Sequence, residues 1–205
     1  MDHLDQVLDA ATPLLRRAEE VIDEAGAPAG HALWQQLRRV RLLPADAAHA
    51  VAALDPAALA DAVPELRAAA RSCVATAAGL PPPGGDWQGE AADTYDDLRR
   101  RVSGHLAGAD DSLDERLEAT ADLAAALHDW MVRARESLAA ALAEVLTSAE
   151  GLTLQTSSGA HPPDAASIEA AAAVTTHVLR AIADHYIEAE ELMRESRPLT
   201  DPIPV

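Results

Sequence analysis

Residues 55–80 read DPAALADAVPELRAAARSCVATAAGL. Within this stretch Leu59, Val63, Leu66, Ala70, Cys73, Ala77 and Leu80 step strictly by four and three, the spacing that puts side chains on one face of an α-helix. Asp55-Pro56 reads as an N-cap followed by proline in the first helical position, and Pro64 predicts a bend. The run Pro81-Pro82-Pro83-Gly84-Gly85 ends the helix, because proline lacks the N–H the helix needs and the glycines favour turns. Asp86 is placed to cap the helix that follows.

The same period extends on both sides. Upstream, Leu4, Leu8, Ala11, Leu15, Ala18, Ile22 and Ala25 form one stripe, and Pro13 within it predicts a kink or a break. After Gly26-Ala27-Pro28-Ala29-Gly30, a second helix carries Leu33, Leu37 and Val40 beside Arg38, Arg39 and Arg41, with Pro44 expected to stop it. A short alanine-rich helix is expected over residues 46–54. Downstream, the pattern runs Tyr95, Leu98, Val102, Leu106, Ala109, Leu113, Leu117, then Leu127, Met131, Ala134, Leu138, Ala141 and Val145. Two alternatives stand here. One is an unbroken helix over 88–150, about 90 Å long. The other is an interruption near Gly104, Gly108 and a capping box at Ser112 and Glu115. LTLQTSSGAHPP (152–163) reads as a polar linker. Asp164 can cap a last helix with the seam Ile168, Ala172, Thr175, Leu179, Ile182, Tyr186, Ala189 and Met193, and RPLTDPIPV as an extended tail. No strand-like alternation of useful length and no internal repeat interrupts this pattern, so the predicted fold is all-α, an elongated antiparallel helical bundle.

Composition agrees. Alanine supplies about a quarter of the 205 residues, with no Phe, Lys or Asn, a mixture that packs helices closely and makes poor sheets. Sixteen basic groups against 34 acidic ones leave a net charge of −18 and a pI near 4.6. That balance argues against nucleic acid, which needs a basic footprint, and against docking on an anionic membrane. The N-terminus lacks the charged-then-apolar pattern of a signal peptide, and no apolar run reaches a membrane span. Cys73 has no second cysteine to pair with and reads as a small helix-packing residue.

Catalytic chemistry finds little support. There is no Glu-x-x-His or His-x-x-x-His pair for a helical metal site, and His177 and His185, two turns apart, lack an obvious partner set. Ser157, Ser158 and Gly159 lack the strand-turn-helix setting that exposes a catalytic serine. Asp96 with Arg100 and Asp97 with Arg101 stand four apart, the orientation of an exposed ion-paired helix face. The expectation is a protein without enzymatic activity, cofactor or metal.

One motif is specific enough to name a resemblance. Gly85-Asp86-Trp87-Gln88-Gly89-Glu90-Ala91-Ala92-Asp93-Thr94-Tyr95 sets a Trp-x-Gly at the start of an amphipathic helix, with paired alanines and an aromatic six residues past the glycine. In its context between two helical seams, this resembles the WxG family, the small helical-hairpin substrates of type VII (ESX) secretion in actinobacteria and related bacteria. The resemblance covers residues 55–150. It implies a WxG-like hairpin there, with Trp87 and Gly89 in the turn and an apolar face for a partner hairpin. Around it stand N-terminal helices (1–54) packed on the hairpin, a linker (151–163), a C-terminal helix (164–197) and the tail (198–205).

The family's C-terminal Tyr-x-x-x-Asp/Glu signal is matched by Tyr186-Ile187-Glu188-Ala189-Glu190, and Tyr95 lacks the acid because Arg99 occupies its place. The resemblance thus implies a secretion or partner motif of Trp87, Gly89, Tyr95, Tyr186 and Glu190, with Tyr186 brought near Trp87. Glu190 is alternatively placed to pair with Arg194. The implied partners are the type VII secretion machinery and a WxG-like helical protein, with the chain a monomer or dimer. It would be secreted without a cleaved signal peptide. The alternative is a cytoplasmic helical adaptor or chaperone for such a substrate.

Overall fold

A computed structural model describes residues 2–157 and 162–200. Every regular element among them is helical: α1 (His3–Ala25), α2 (Leu33–Val40), α3 (Pro44–Ala52), α4 (Pro56–Gly79), α5 (Glu90–Leu106), α6 (Leu113–Thr147), α7 (Ala149–Thr156), α8 (Ala165–Ala183), α9 (Tyr186–Glu195) and the single turn α10 (Arg197–Thr200). The chain divides into two compact units. One comprises Met1–Asp55 with Trp130–Glu190, the other Pro56–Asp129 with Glu191–Val205.

The first unit is built around α8, which packs against α1, α2, α3 and α7. Ala170, Ala171, Ala172, Val174, Val178, Leu179, Ile182 and Ala183 are all buried, so α8 is enclosed on nearly every side. A helix apolar all round belongs in a core, and its alanines let neighbours approach closely. Asp164 caps it, accepting the Ser167 N–H at 2.8 Å. From α1 come Leu4, Leu8, Ala11, Leu14, Leu15, Ala18 and Val21, and from the end of α6 Leu138, Leu142 and Val145. Each fully buried leucine or valine contributes about 1.5–3 kcal/mol. Arg135 fastens this core to its edge, reaching the carbonyls of Ala52 and of Leu54 (3.0 Å) and the carboxylate of Asp2.

Pro13 does not break α1, which runs unbroken through it. Leu8, Ala11, Leu14 and Leu15 are buried on both sides of the proline, and that burial outweighs the about 3 kcal/mol an internal proline costs. The buried stripe turns onto Leu14 and Val21, leaving Ala25 exposed. Pro44 starts a helix instead of stopping one: α2 ends at Val40, with Arg41 left-handed at φ 60°, and Pro44 is the first residue of α3. There its missing N–H costs nothing.

The expected linker from residue 151 is also corrected, because 149–156 is helix. Ser148 caps α7, its Oγ accepting the Gly151 N–H at 2.9 Å, and Leu154 is fully buried. Gly151 is required here, since a Cβ would lie 2.0 Å from the Val145 carbonyl oxygen. Of the linker, Ser158, Gly159 and residues 160–161 lie outside the described residues. The last helix is not continuous over 164–197 either. It breaks at 184–185: Arg39 donates to the Ala183 carbonyl (3.0 Å) and Trp130 Nε1 to that of His185 (3.1 Å), so two carbonyls at the break are bonded by side chains from elsewhere in the unit. α9 then buries Leu192 and leaves Met193 70% exposed. The expected tail begins as the turn α10 over 197–200, and residues 201–205 lie outside the described residues.

In the second unit α4 and α5 pack on each other. Ser103 Oγ donates to the Ala77 carbonyl (3.4 Å) and Tyr95 Oη to the Pro81 carbonyl (2.9 Å), so the partners step in opposite directions along the two helices, as in a hairpin. The α4 seam is as expected: Ala70 and Ala77 are buried, and Leu59, Val63, Leu66, Cys73 and Leu80 half-buried. On α5 the expected stripe holds only at its ends, Tyr95 and Leu106. Ala92 is buried and Tyr95, Asp96, Arg99, Ser103 and Leu106 are half-buried, while Leu98 and Val102 are exposed. The inner face mixes Ala92 and Ser103 with the polar Asp96 and Arg99, which hydrophobic periodicity does not register. The long pattern over 88–150 is interrupted at 107–112, so the hairpin ends well before residue 150. Glu115 there accepts the Asp111 N–H (3.1 Å), one residue earlier than the expected box at Ser112. Arg67 on α4 pairs with Asp122 (3.0 Å) and Glu118 (3.7 Å) on α6.

Candidate functional site

The segment joining α4 to α5 is organised by its own backbone. The Trp87 N–H donates to the Gly84 carbonyl at 2.9 Å, closing a turn directly after the proline run. Gly89, at φ 99° and ψ −178°, is the N-cap of α5, and the Ala92 N–H donates to its carbonyl at 2.9 Å. Only glycine takes that backbone conformation without strain, so the glycine of the Trp-x-Gly is fixed by geometry. Asp86 is therefore not the cap. Glu90 and Asp93 in the first turn of α5 face the positive end of the helix dipole.

The turn ends in an aromatic pair. The Trp87 and Tyr95 rings have centroids 5.3 Å apart and planes inclined by 41°, and Tyr95 is anchored to the Pro81 carbonyl. Trp87 nevertheless stays 46% exposed, a large apolar ring held in a fixed place at the surface. The sequence motif thus brings Trp87, Gly89 and Tyr95 into one structure.

Farther along α5, Asp96 binds Arg100 (2.7 Å) and Arg99 (2.8 Å), and these two guanidiniums hold its carboxyl below its ordinary range. Arg100 also reaches Asp97 (3.4 Å), the residue expected to pair with Arg101. Arg101 bonds the Asp97 backbone carbonyl instead.

Tyr186 and Glu190 belong to the first unit and Trp87 to the second. Tyr186 is the first residue of α9 and packs half-buried against the core of its unit. With Leu42, Val51, Leu54 and Trp130 it lines a small cavity of about 170 Å³. Glu190 is exposed, and Arg194 approaches Glu191 (3.6 Å) in place of the expected Glu190. Glu188, between them, pairs with Arg133.

The remaining candidates are engaged structurally. His177 approaches Glu144 at 3.0 Å, and the end of α8 separates it from His185. Among the described residues no group of three or more His, Cys, Asp or Glu is arranged to hold a metal ion. Trp34 Nε1 donates to the Pro28 carbonyl (3.2 Å), and Arg39 is taken up by Gln36 and the end of α8. Among the described residues no single helix is long and apolar enough to cross a membrane; the bent pair α6 and α7 reaches that length only together, and its apolar residues Leu138, Leu142 and Leu154 are buried in the first unit. Comparison with family models, curated proteins and solved structures finds no match.

Proposed function

We propose that this protein is a non-enzymatic, WxG-like substrate of type VII secretion, or a protein associated with that secretion, acting through helix–helix recognition. The observation that carries the reading is the α4–α5 pair joined by a turn holding Trp87-x-Gly89, with the Trp87 ring fixed over Tyr95 and half-exposed. A rigid exposed aromatic is the kind of residue that anchors a protein interface. Leu98 (53% exposed) and Val102 (40% exposed), four residues apart on α5, supply an apolar strip for a partner helix. In this reading α4 and α5 are the family's antiparallel hairpin, and the helices of the first unit are an addition to it. Trp87, Gly89 and Tyr95 present one part of the export signal, Tyr186 and Glu190 the other, to the secretion machinery.

The test is fractionation of the native host with and without its type VII ATPase. Culture medium and lysate are probed for the protein and for the Trp87→Ala and Tyr186→Ala variants, each checked for helicity. ATPase-dependent release, lost in the folded variants, supports the reading. Retention in the cytoplasm while other substrates leave overturns it in favour of an intracellular adaptor. Release of Tyr186→Ala but not of Trp87→Ala restricts the signal to the turn.

A further inference from the structure

The first unit contains an open cavity of about 730 Å³ where α1, α2 and α8 meet the start of α3. That volume suits a small organic molecule. Ile22, Leu33, Leu37 and Leu43 give it apolar walls, and Trp34 adds an aromatic ring tethered by its bond to Pro28. Its charged groups are unbalanced, with Glu19, Glu20 and Asp23 against Arg16. Glu19 accepts the Ala45 N–H at 2.8 Å and Glu20 is paired with Arg17 at 3.3 Å, which leaves the exposed Asp23 as the carboxylate with no partner among the described residues. α8 contributes Thr175, 3% exposed, whose hydroxyl has no hydrogen-bond partner. Its neighbour Thr176 follows the usual habit of a helical threonine and donates to the carbonyl four residues back (2.6 Å). The Thr175 oxygen is itself closed to solvent, so it lies behind the wall and not in the open space of the cavity.

We propose that this cavity binds an organic ammonium with an apolar body. Apolar walls accept the body. An aromatic ring and an excess of carboxylates attract a cation and repel an anion of the same shape, and the net charge of −18 steers in the same direction. Asp23 is the carboxylate available to the ammonium, and Leu37 is the wall residue whose enlargement closes the space.

Calorimetric titration of the full chain with octylammonium and with octanoate tests this. The expected result is saturable binding of octylammonium, about two- to fivefold tighter than octanoate. Asp23→Arg, an exposed change, should bring the two affinities together or reverse their order. Leu37→Trp should abolish binding of both while circular dichroism stays that of the parent. Absence of saturable binding, equal affinity for both probes, or a preference unchanged in Asp23→Arg would overturn the proposal.

Discussion

The indole nitrogen of Trp130 donates to the backbone carbonyl of His185 across 3.1 Å, at the point where α8 has ended and α9 has not begun. The same carbonyl accepts the Ala189 N–H at 3.1 Å, so one oxygen serves both the first turn of α9 and a side chain of α6. Trp130→Phe keeps an aromatic ring but loses the five-membered part of the indole along with the donor. It should lower stability by at least about 0.5–1.5 kcal/mol, the net value of one hydrogen bond, with the loss read from the denaturation midpoint. A midpoint equal to that of the parent would mean that this bond contributes nothing to stability.

Gly89 is expected to reject any side chain. At φ 99° an alanine is strained whatever space surrounds it, and Gly89→Ala should cost about 1–3 kcal/mol. Gly84→Ala, at a position outside the left-handed region and with open space around it, should cost much less. Comparing the two by thermal unfolding separates backbone strain from general intolerance of the turn.

Gly151→Ala meets a different obstacle, a backbone oxygen 2.0 Å from the new Cβ. The bend between α6 and α7 must open to admit it, at about 1–3 kcal/mol or more. Amide hydrogen exchange should show the loss first in residues 149–156.

Core truncation separates the faces of the helices. Leu15→Ala removes a fully buried side chain and should destabilise by about 2–5 kcal/mol. Leu98→Ala, at a residue 53% exposed, should stay within about 0.5 kcal/mol. If Leu98 binds a partner helix, that variant should weaken the complex while its own unfolding curve is unchanged.

Asp2 gives a pH signature. Its carboxyl is held below the ordinary value of 3.8, first by the Asp5 N–H it accepts and then by Arg135. A carboxyl whose pKa is depressed by folding stabilises above its unfolded pKa, and the contribution disappears as pH falls through the folded one. The melting temperature of Asp2→Asn should therefore lie below that of the parent at pH 7, and the gap should close on acidification below about pH 4. A gap that persists at low pH would show that the amide disturbs the cap itself.

The all-helical class was readable from periodicity alone. The stripe from Leu59 to Leu80 is the inner face of α4, and Ala134, Leu138, Ala141 and Val145 are buried as their spacing requires. The cap of α5 was not readable, because Asp86 has the side chain of a cap while the positive φ that makes Gly89 the cap leaves no mark in the sequence beyond the glycine itself. What else the sequence did not disclose depends on partners distant along the chain. The break between α8 and α9 is one such place, where Arg39 and Trp130 bond carbonyls 144 and 55 residues away. Leu98 and Val102 share their period with a core stripe, yet both stay exposed, and α4 packs on the side of α5 that carries Ala92 and Ser103. Residues 149–156 are polar enough to pass for a linker until Leu154 finds its place in the core of the first unit. Thr175 sat in the predicted seam, and nothing local marked its hydroxyl as unpaired or placed it at a cavity. Local sequence thus determined most of the helical segments, α7 excepted, through period, caps and breakers. Which face each helix buries, and whether a polar segment such as 149–156 joins a core, was decided by tertiary packing, because those energies arise between segments brought together only by folding.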